Sequence, residues 1–183
     1  MNMRQKLLRK YSLYIIGACA LLFGILIYLV YFHPISHIDV AFSREFQSEG
    51  DSPFEKSLLF NIFRFVSYLG VPAVAAIIVL FSALIFWLFG YFRESVYALV
   101  TVIGTPIEYG IKAIINRPRP PEDVVNIIDR QSTSSFPSGH VVFFTIFFGF
   151  LIAAMFANKK INPYLRGILV LVSLALIVLA SLS

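Results

Sequence analysis

Two short stretches of this chain concentrate residue types that handle anions. The first, Lys112-Ala-Ile-Ile-Asn116-Arg117-Pro118-Arg119-Pro120-Pro121, sets Lys112, Arg117 and Arg119 beside a run of prolines. A guanidinium offers a planar fork that matches phosphate oxygens, and an ammonium adds a point charge. The second, Ser134-Ser135-Phe136-Pro137-Ser138-Gly139-His140, directly precedes an apolar run. Ser138 suits a helix N-cap, and Gly139 permits close backbone approach. The first N–H groups of a helix are unpaired and carry the positive end of its dipole, which makes a ready anion seat. His140, in the first turn, is placed to reach such an anion and hand it a proton.

Taken singly, each stretch has a plainer reading. The cations can snorkel to lipid headgroups, and the second stretch can be a capped helix with an interfacial histidine. Taken together they point further. One segment, Ala113 to Gly139, joins them, so they lie on one side of any membrane crossed by the flanking helices. If those helices pack together, Lys112, Arg117 and Arg119 face the amino end of the second. Fixed cations, a helix N-terminus and a proton donor then converge on one small tetrahedral anion. Phosphoryl transfer needs this arrangement, because charge develops on the equatorial oxygens while the leaving oxygen takes a proton. Glu108 lies four residues before Lys112 and shares its helix face. It is an intramembrane acid, and its expected role is to pair with Lys112 or Arg119.

The elements that must position these residues are set by composition. The chain has 183 residues, 58% hydrophobic and 14% charged, with a mean hydropathy of +0.82. That excludes disorder, which needs low hydrophobicity and high charge, and argues against a soluble single-core protein. The single cysteine, Cys19, excludes a disulfide scaffold and a cysteine-based zinc site. A membrane span needs about 20 mostly apolar residues. Runs of that kind are expected at 12–32, 71–92, 95–111, 141–158 and 167–183. Backbone groups in lipid must be satisfied internally, so each run is expected to be a helix. The fold class is therefore an all-α polytopic membrane bundle, with 1–11 a basic N-terminal segment and 12–183 one domain.

Orientation follows from the basic residues. Arg4, Lys6, Arg9 and Lys10, then Arg93, then Lys159, Lys160 and Arg166 occupy alternate connections. The positive-inside rule makes these cytoplasmic, together with the N-terminus. The net charge of +5 is thus a topology signal, and no nucleic-acid partner is expected. The opposite, outer side carries His33 to Gly70 and Lys112 to His140. Between Asp39 and Tyr68, the residues Phe54, Leu58, Leu59, Ile62, Phe63 and Val66 recur at helical spacing. They predict an amphipathic helix lying in the interface after the first span.

The two anion-handling stretches resemble the signature of the type 2 phosphatidic acid phosphatase family, which also contains the vanadium haloperoxidases. The family's first motif is Lys, six residues, then Arg-Pro, matched by Lys112 through Arg119-Pro120. Its second motif is Pro-Ser-Gly-His, matched by Pro137-Ser138-Gly139-His140. The stretch from His37 to Gly70 also looks like the region after the first span in bacterial members. The resemblance covers 39–183 and implies a six-helix bundle, of which five spans are visible. It implies that Lys112, Arg119, Ser138 and the Gly139 N–H bind phosphate and that His140 is the general acid. Arg117 and Glu108 are accessory. The implied substrate is a lipid phosphate or diphosphate among membrane lipids, with no metal and no cofactor. The implied location is a bacterial plasma membrane with the site on its outer side.

The family's third motif, Ser-Arg, five residues, His, three residues, Asp, supplies the nucleophilic histidine of a phosphohistidine intermediate. It does not occur within residues 1–183. The expectation is an incomplete chain that binds phosphate without turnover. Two alternatives stay open: a non-catalytic lipid-phosphate binder or transport-related protein, and a substitute nucleophile from His33 or His37.

Overall fold

A computed structural model of the chain describes residues 3–32, 58–117, 134–158 and 161–182, and these are helical with short connections. Helix α1 runs Met3–Phe32, α2 Leu58–Leu69, α3 Pro72–Leu88, α4 Phe92–Val100, α5 Gly104–Ile115, α6 Gly139–Ala157 and α7 Pro163–Leu182. Among the described residues, four helical segments are long and apolar enough to cross a membrane: Leu13–Phe32, Phe92–Ile115, Gly139–Ala157 and Pro163–Leu182. The pair α2 and α3 passes the same test together but is bent by 70°. The protein is an all-α polytopic membrane bundle.

Sequence punctuation explains where the helices break. Pro72 opens α3 at a position where its missing N–H is no loss. At the other end Gly90 takes φ +79, a left-handed conformation that glycine adopts without strain, and α4 begins two residues later. The second span is therefore shorter than the apolar run 71–92. At 1.5 Å per residue α3 is about 25 Å long. The third span is longer than the run 95–111, because α4 and α5 continue each other through a 3-10 turn at Thr101–Ile103. Pro106 follows in the first turn of α5 and has no N–H for Val102, so a tighter turn before it loses little. Thr101 Oγ1 donates to the Ala98 carbonyl at 2.6 Å within this turn.

The bundle is centred on α6. Its sequence is apolar around the full circumference, as suits a helix surrounded by neighbours and lipid. Helix α7 packs along one side of it, with α4 and α5 on another. Phe144 and Phe147 are fully buried and join Val66 of α2, Val79 of α3 and Ala180 of α7 in one cluster. Phe143 stacks on Phe147 at 5.6 Å and Phe144 on Phe148 at 5.3 Å. A second cluster, nearer the other end of α6, joins Ala83 and Phe86 of α3, Ala98 of α4, and Ala154 and Met155 of α6. Lipid tails are as apolar as these side chains, so close packing rather than exclusion from water selects this arrangement. Helix α1 stands apart: none of its Leu13–Phe32 span is buried, and Cys19 is exposed there.

Helix α2 has the amphipathic pattern expected between the first two spans. Ile62, Val66 and Leu69 face the core and α7, while Phe65 and Tyr68 point outward. Leu58, expected on the apolar face, is exposed instead. Phe54 lies outside the described residues, as do the alternative nucleophiles His33 and His37.

At the end of the bundle away from His140, polar contacts tie the connections together. Ser95 Oγ donates to the Ala83 carbonyl at 2.8 Å, and Asn158 Nδ2 donates to Glu94 Oε1 at 2.9 Å. The Arg166 guanidinium donates to the carbonyls of Asn158 and Ile161. Lys159 and Lys160 lie outside the described residues.

Candidate active site

Four helix ends meet at the opposite end of the bundle: the carboxyl ends of α5, α2 and α7 and the amino end of α6. The end of α5 and the start of α6 have local causes. Helix α5 ends where Asn116 takes φ 43, and the Asn116 N–H closes on the Lys112 carbonyl at 2.8 Å. Asparagine is among the few residues other than glycine that visit this conformation. Arg117 precedes Pro118, which disfavours any return to helix. Helix α6 starts after Ser138, whose backbone is extended and whose hydroxyl makes no capping bond. The Ser138 carbonyl instead accepts from Val142 N–H at 3.0 Å. Ser138 thus stands at the N-cap position with its hydroxyl not spent on the helix it begins.

The two stretches are physically joined. The Arg117 carbonyl accepts from the Ser135 N–H at 3.1 Å and from the hydroxyls of Ser134 and Ser135 at 3.3 Å. The Ser135 N–H, with two serine hydroxyls sharing the carbonyl's remaining lone pair and Ser134 also in reach of the Phe136 carbonyl, pins the end of α5 to the lead-in of α6. Deeper along the same interface Gly104 meets Ile146 and Val142, so α5 and α6 pack closely. The expected contact of the third and fourth spans is present.

Glu108 and Lys112 form a buried ion pair in this interface. Lys112 Nζ lies 2.6 Å from Glu108 Oε1, with the side chains only 12% and 8% exposed. The carboxylate also lies against Gly139, where an added Cβ would sit 2.9 Å from Oε1 and 3.1 Å from Oε2. A side chain at position 139 would press on this carboxylate, so glycine leaves room for it. Glu108 therefore links Lys112 to the amino end of α6, whose dipole favours negative charge. Lys112 also lies 6.0 Å from the centroid of the Tyr109 ring.

His140 is held from another side. Its Nε2 is 2.8 Å from the Ser67 carbonyl near the end of α2. A carbonyl only accepts, so Nε2 carries the hydrogen. The ring lies against Gly70 with Cδ2 nearest.

Of the residues singled out in the sequence, the structure brings Lys112, Glu108, Ser138, Gly139 and His140 to one end of the bundle, with the Arg117 backbone binding the serines beside them. Arg119 lies outside the described residues. Sequence reasoning passed over Ser67 and Gly70. Gly70 was visible only as the residue before Val71-Pro72, and no spacing relates it to His140. Among the described residues, no group of three or more His, Cys, Asp or Glu gathers as a metal site would.

The arrangement gathers the Glu108–Lys112 pair, the amino end of α6 and the His140 imidazole at one end of the bundle. No curated protein and no solved structure gives a significant match to the chain. The PAP2 superfamily does match, over residues 93–183, a stretch that runs from the second residue of α4 through α7 and contains both anion-handling motifs. With its helices, its motifs and this match in agreement, the chain belongs to the PAP2 superfamily, a superfamily of phosphatase type.

Proposed function

We propose that this chain supplies the phosphate-holding residues of a membrane phosphatase acting on a lipid phosphate or diphosphate at the outer face. The observation that carries the reading is the joining of Lys112 and the Arg117 backbone to the start of α6, which assembles both motifs around one end of the bundle. Lys112, Arg119, the Ser138 hydroxyl and the Gly139 N–H hold the equatorial oxygens. A nucleophilic histidine of the third motif attacks phosphorus in line. The P–O bond to the lipid breaks, its electron pair leaves on the alkoxide oxygen, and His140 protonates that oxygen. Water then attacks the phosphohistidine, the P–N bond breaks, and inorganic phosphate departs. The roles proposed for the residues named here are to bind and to protonate; the attacking histidine belongs to the third motif, which residues 1–183 do not contain.

Orthovanadate binding to residues 1–183 in lipid nanodiscs tests the reading. Saturable binding is expected, weakened at least about tenfold by Lys112→Ala, the loss of one charge-assisted contact. Phosphate release from a lipid phosphate is expected to be absent. Binding unaffected by Lys112→Ala, or release at the rate of a complete superfamily phosphatase, would overturn it.

A further inference from the structure

The bend between α2 and α3 meets His140 directly. The Ser67 carbonyl, one turn from the end of α2, accepts from two donors: the Gly70 N–H at 3.1 Å and His140 Nε2 at 2.8 Å. A carbonyl oxygen has two lone pairs, so both bonds can form at once. A Cβ on Gly70 would fall within the van der Waals envelope of His140 Cδ2 and only 2.9 Å from both Cγ and Nε2. Any side chain at position 70 must therefore move the imidazole. These contacts come from a helix outside both phosphate motifs and outside the matched residues 93–183.

We infer that Gly70 is a positioning residue, and that the bend it occupies sets the tautomer and ring plane of His140. The inference rests on the reading of His140 as proton donor. A protonated imidazole has two N–H groups. If it gave up the hydrogen on Nε2, the Ser67 carbonyl would keep only the Gly70 N–H and would face the bare Nε2 lone pair at 2.8 Å, two acceptors held in contact. If it gives up the hydrogen on Nδ1, the ring remains as the Nε2–H tautomer with its bond to Ser67 intact. The bend therefore directs proton transfer through Nδ1 and holds the ring ready for the next proton. Because α2 is amphipathic and also packs on α7, movement of this helix is transmitted to the ring that it holds.

Imidazole nitrogen spectra of the full 1–183 chain in lipid nanodiscs test this, with the His140 signals assigned by their loss in His140→Ala. In the unaltered chain His140 is expected as the Nε2–H tautomer. Gly70→Ala is expected to convert it to a mixture of tautomers and leave the signals of His33 and His37 in place. Gly70→Ala should also lower the melting temperature of the unaltered chain by several degrees and have no effect in the His140→Ala background. If Gly70→Ala alone fails to fold, folding of the Gly70→Ala, His140→Ala double variant supports the same conclusion. An Nδ1–H tautomer in the unaltered chain, an unchanged His140 spectrum in Gly70→Ala, or an equal loss of stability in both backgrounds overturns it. Inorganic phosphate separates the two levels. If His140 shows the expected tautomer and coupling but no response to phosphate, the bend positions the ring and the proton-donor reading fails instead.

Discussion

The Glu108 carboxylate lies against Gly139, 2.9 Å from where a Cβ would stand, so the acid that pairs with Lys112 also sits at the positive end of α6. One side chain thereby joins the Lys112 motif to the Pro-Ser-Gly-His motif. The contact exists only because residue 139 has no side chain. It makes the two motifs mechanically dependent on each other, and that dependence can be measured.

Removal of Glu108 leaves the Lys112 ammonium buried without its partner. Glu108→Ala is expected to destabilise the bundle by about 3 kcal/mol, the usual range for breaking a buried ion pair from one side. Adding Lys112→Ala should restore part of that loss, because the stranded charge is gone. Thermal unfolding in detergent of the two single variants and the double variant reads the coupling. Additive losses would contradict a shared ion pair.

Gly139→Ala puts a methyl carbon 2.9 Å from Glu108 Oε1 and 3.1 Å from Oε2, so the carboxylate must shift. Alanine suits a helix, so the effect is steric, and overpacking of this kind costs about 1–3 kcal/mol. The same substitution in the Glu108→Ala background is expected to be neutral or stabilising. Melting temperatures of the four chains check this, and an equal loss in both backgrounds would show that Gly139 is needed for another reason.

Asn116 ends α5 with a left-handed backbone. Asn116→Gly should be tolerated, whereas Asn116→Val is expected to cost about 1–2 kcal/mol through strain at this φ. Because Arg117 follows directly, Asn116→Val should also loosen the serine bonds to its carbonyl. Faster amide exchange at Ser135 in Asn116→Val, measured against Asn116→Gly, is the expected sign.

At the far end, Asn158 donates to the Glu94 carboxylate. Asn158→Ala removes a hydrogen bond to a charged group, worth about 1.5–3 kcal/mol. The variant is expected to melt earlier and yet bind orthovanadate with unchanged affinity, since the bond lies at the end of α6 remote from Lys112 and His140. A drop in vanadate affinity would show that the two ends communicate.

Much of this protein is legible in its residues. Apolar runs of span length and little charge leave no fold but a membrane helical bundle, because lipid satisfies no backbone group. The spacing from Glu108 to Lys112 announces an ion pair, because helical geometry alone brings such residues together. The two motifs, Lys112 to Pro120 and Pro137 to His140, identify the superfamily. Tertiary structure decided the rest. The end of the second span at Leu88, the bend of α2 against α3, and the continuity of α4 with α5 depend on Gly90, Gly70 and Pro106 in three-dimensional context. Above all, only packing placed Glu108 on Gly139 and Ser67 against His140. These pairs lie on different helices, and helical periodicity tells which face a residue occupies but not which neighbour that face will meet.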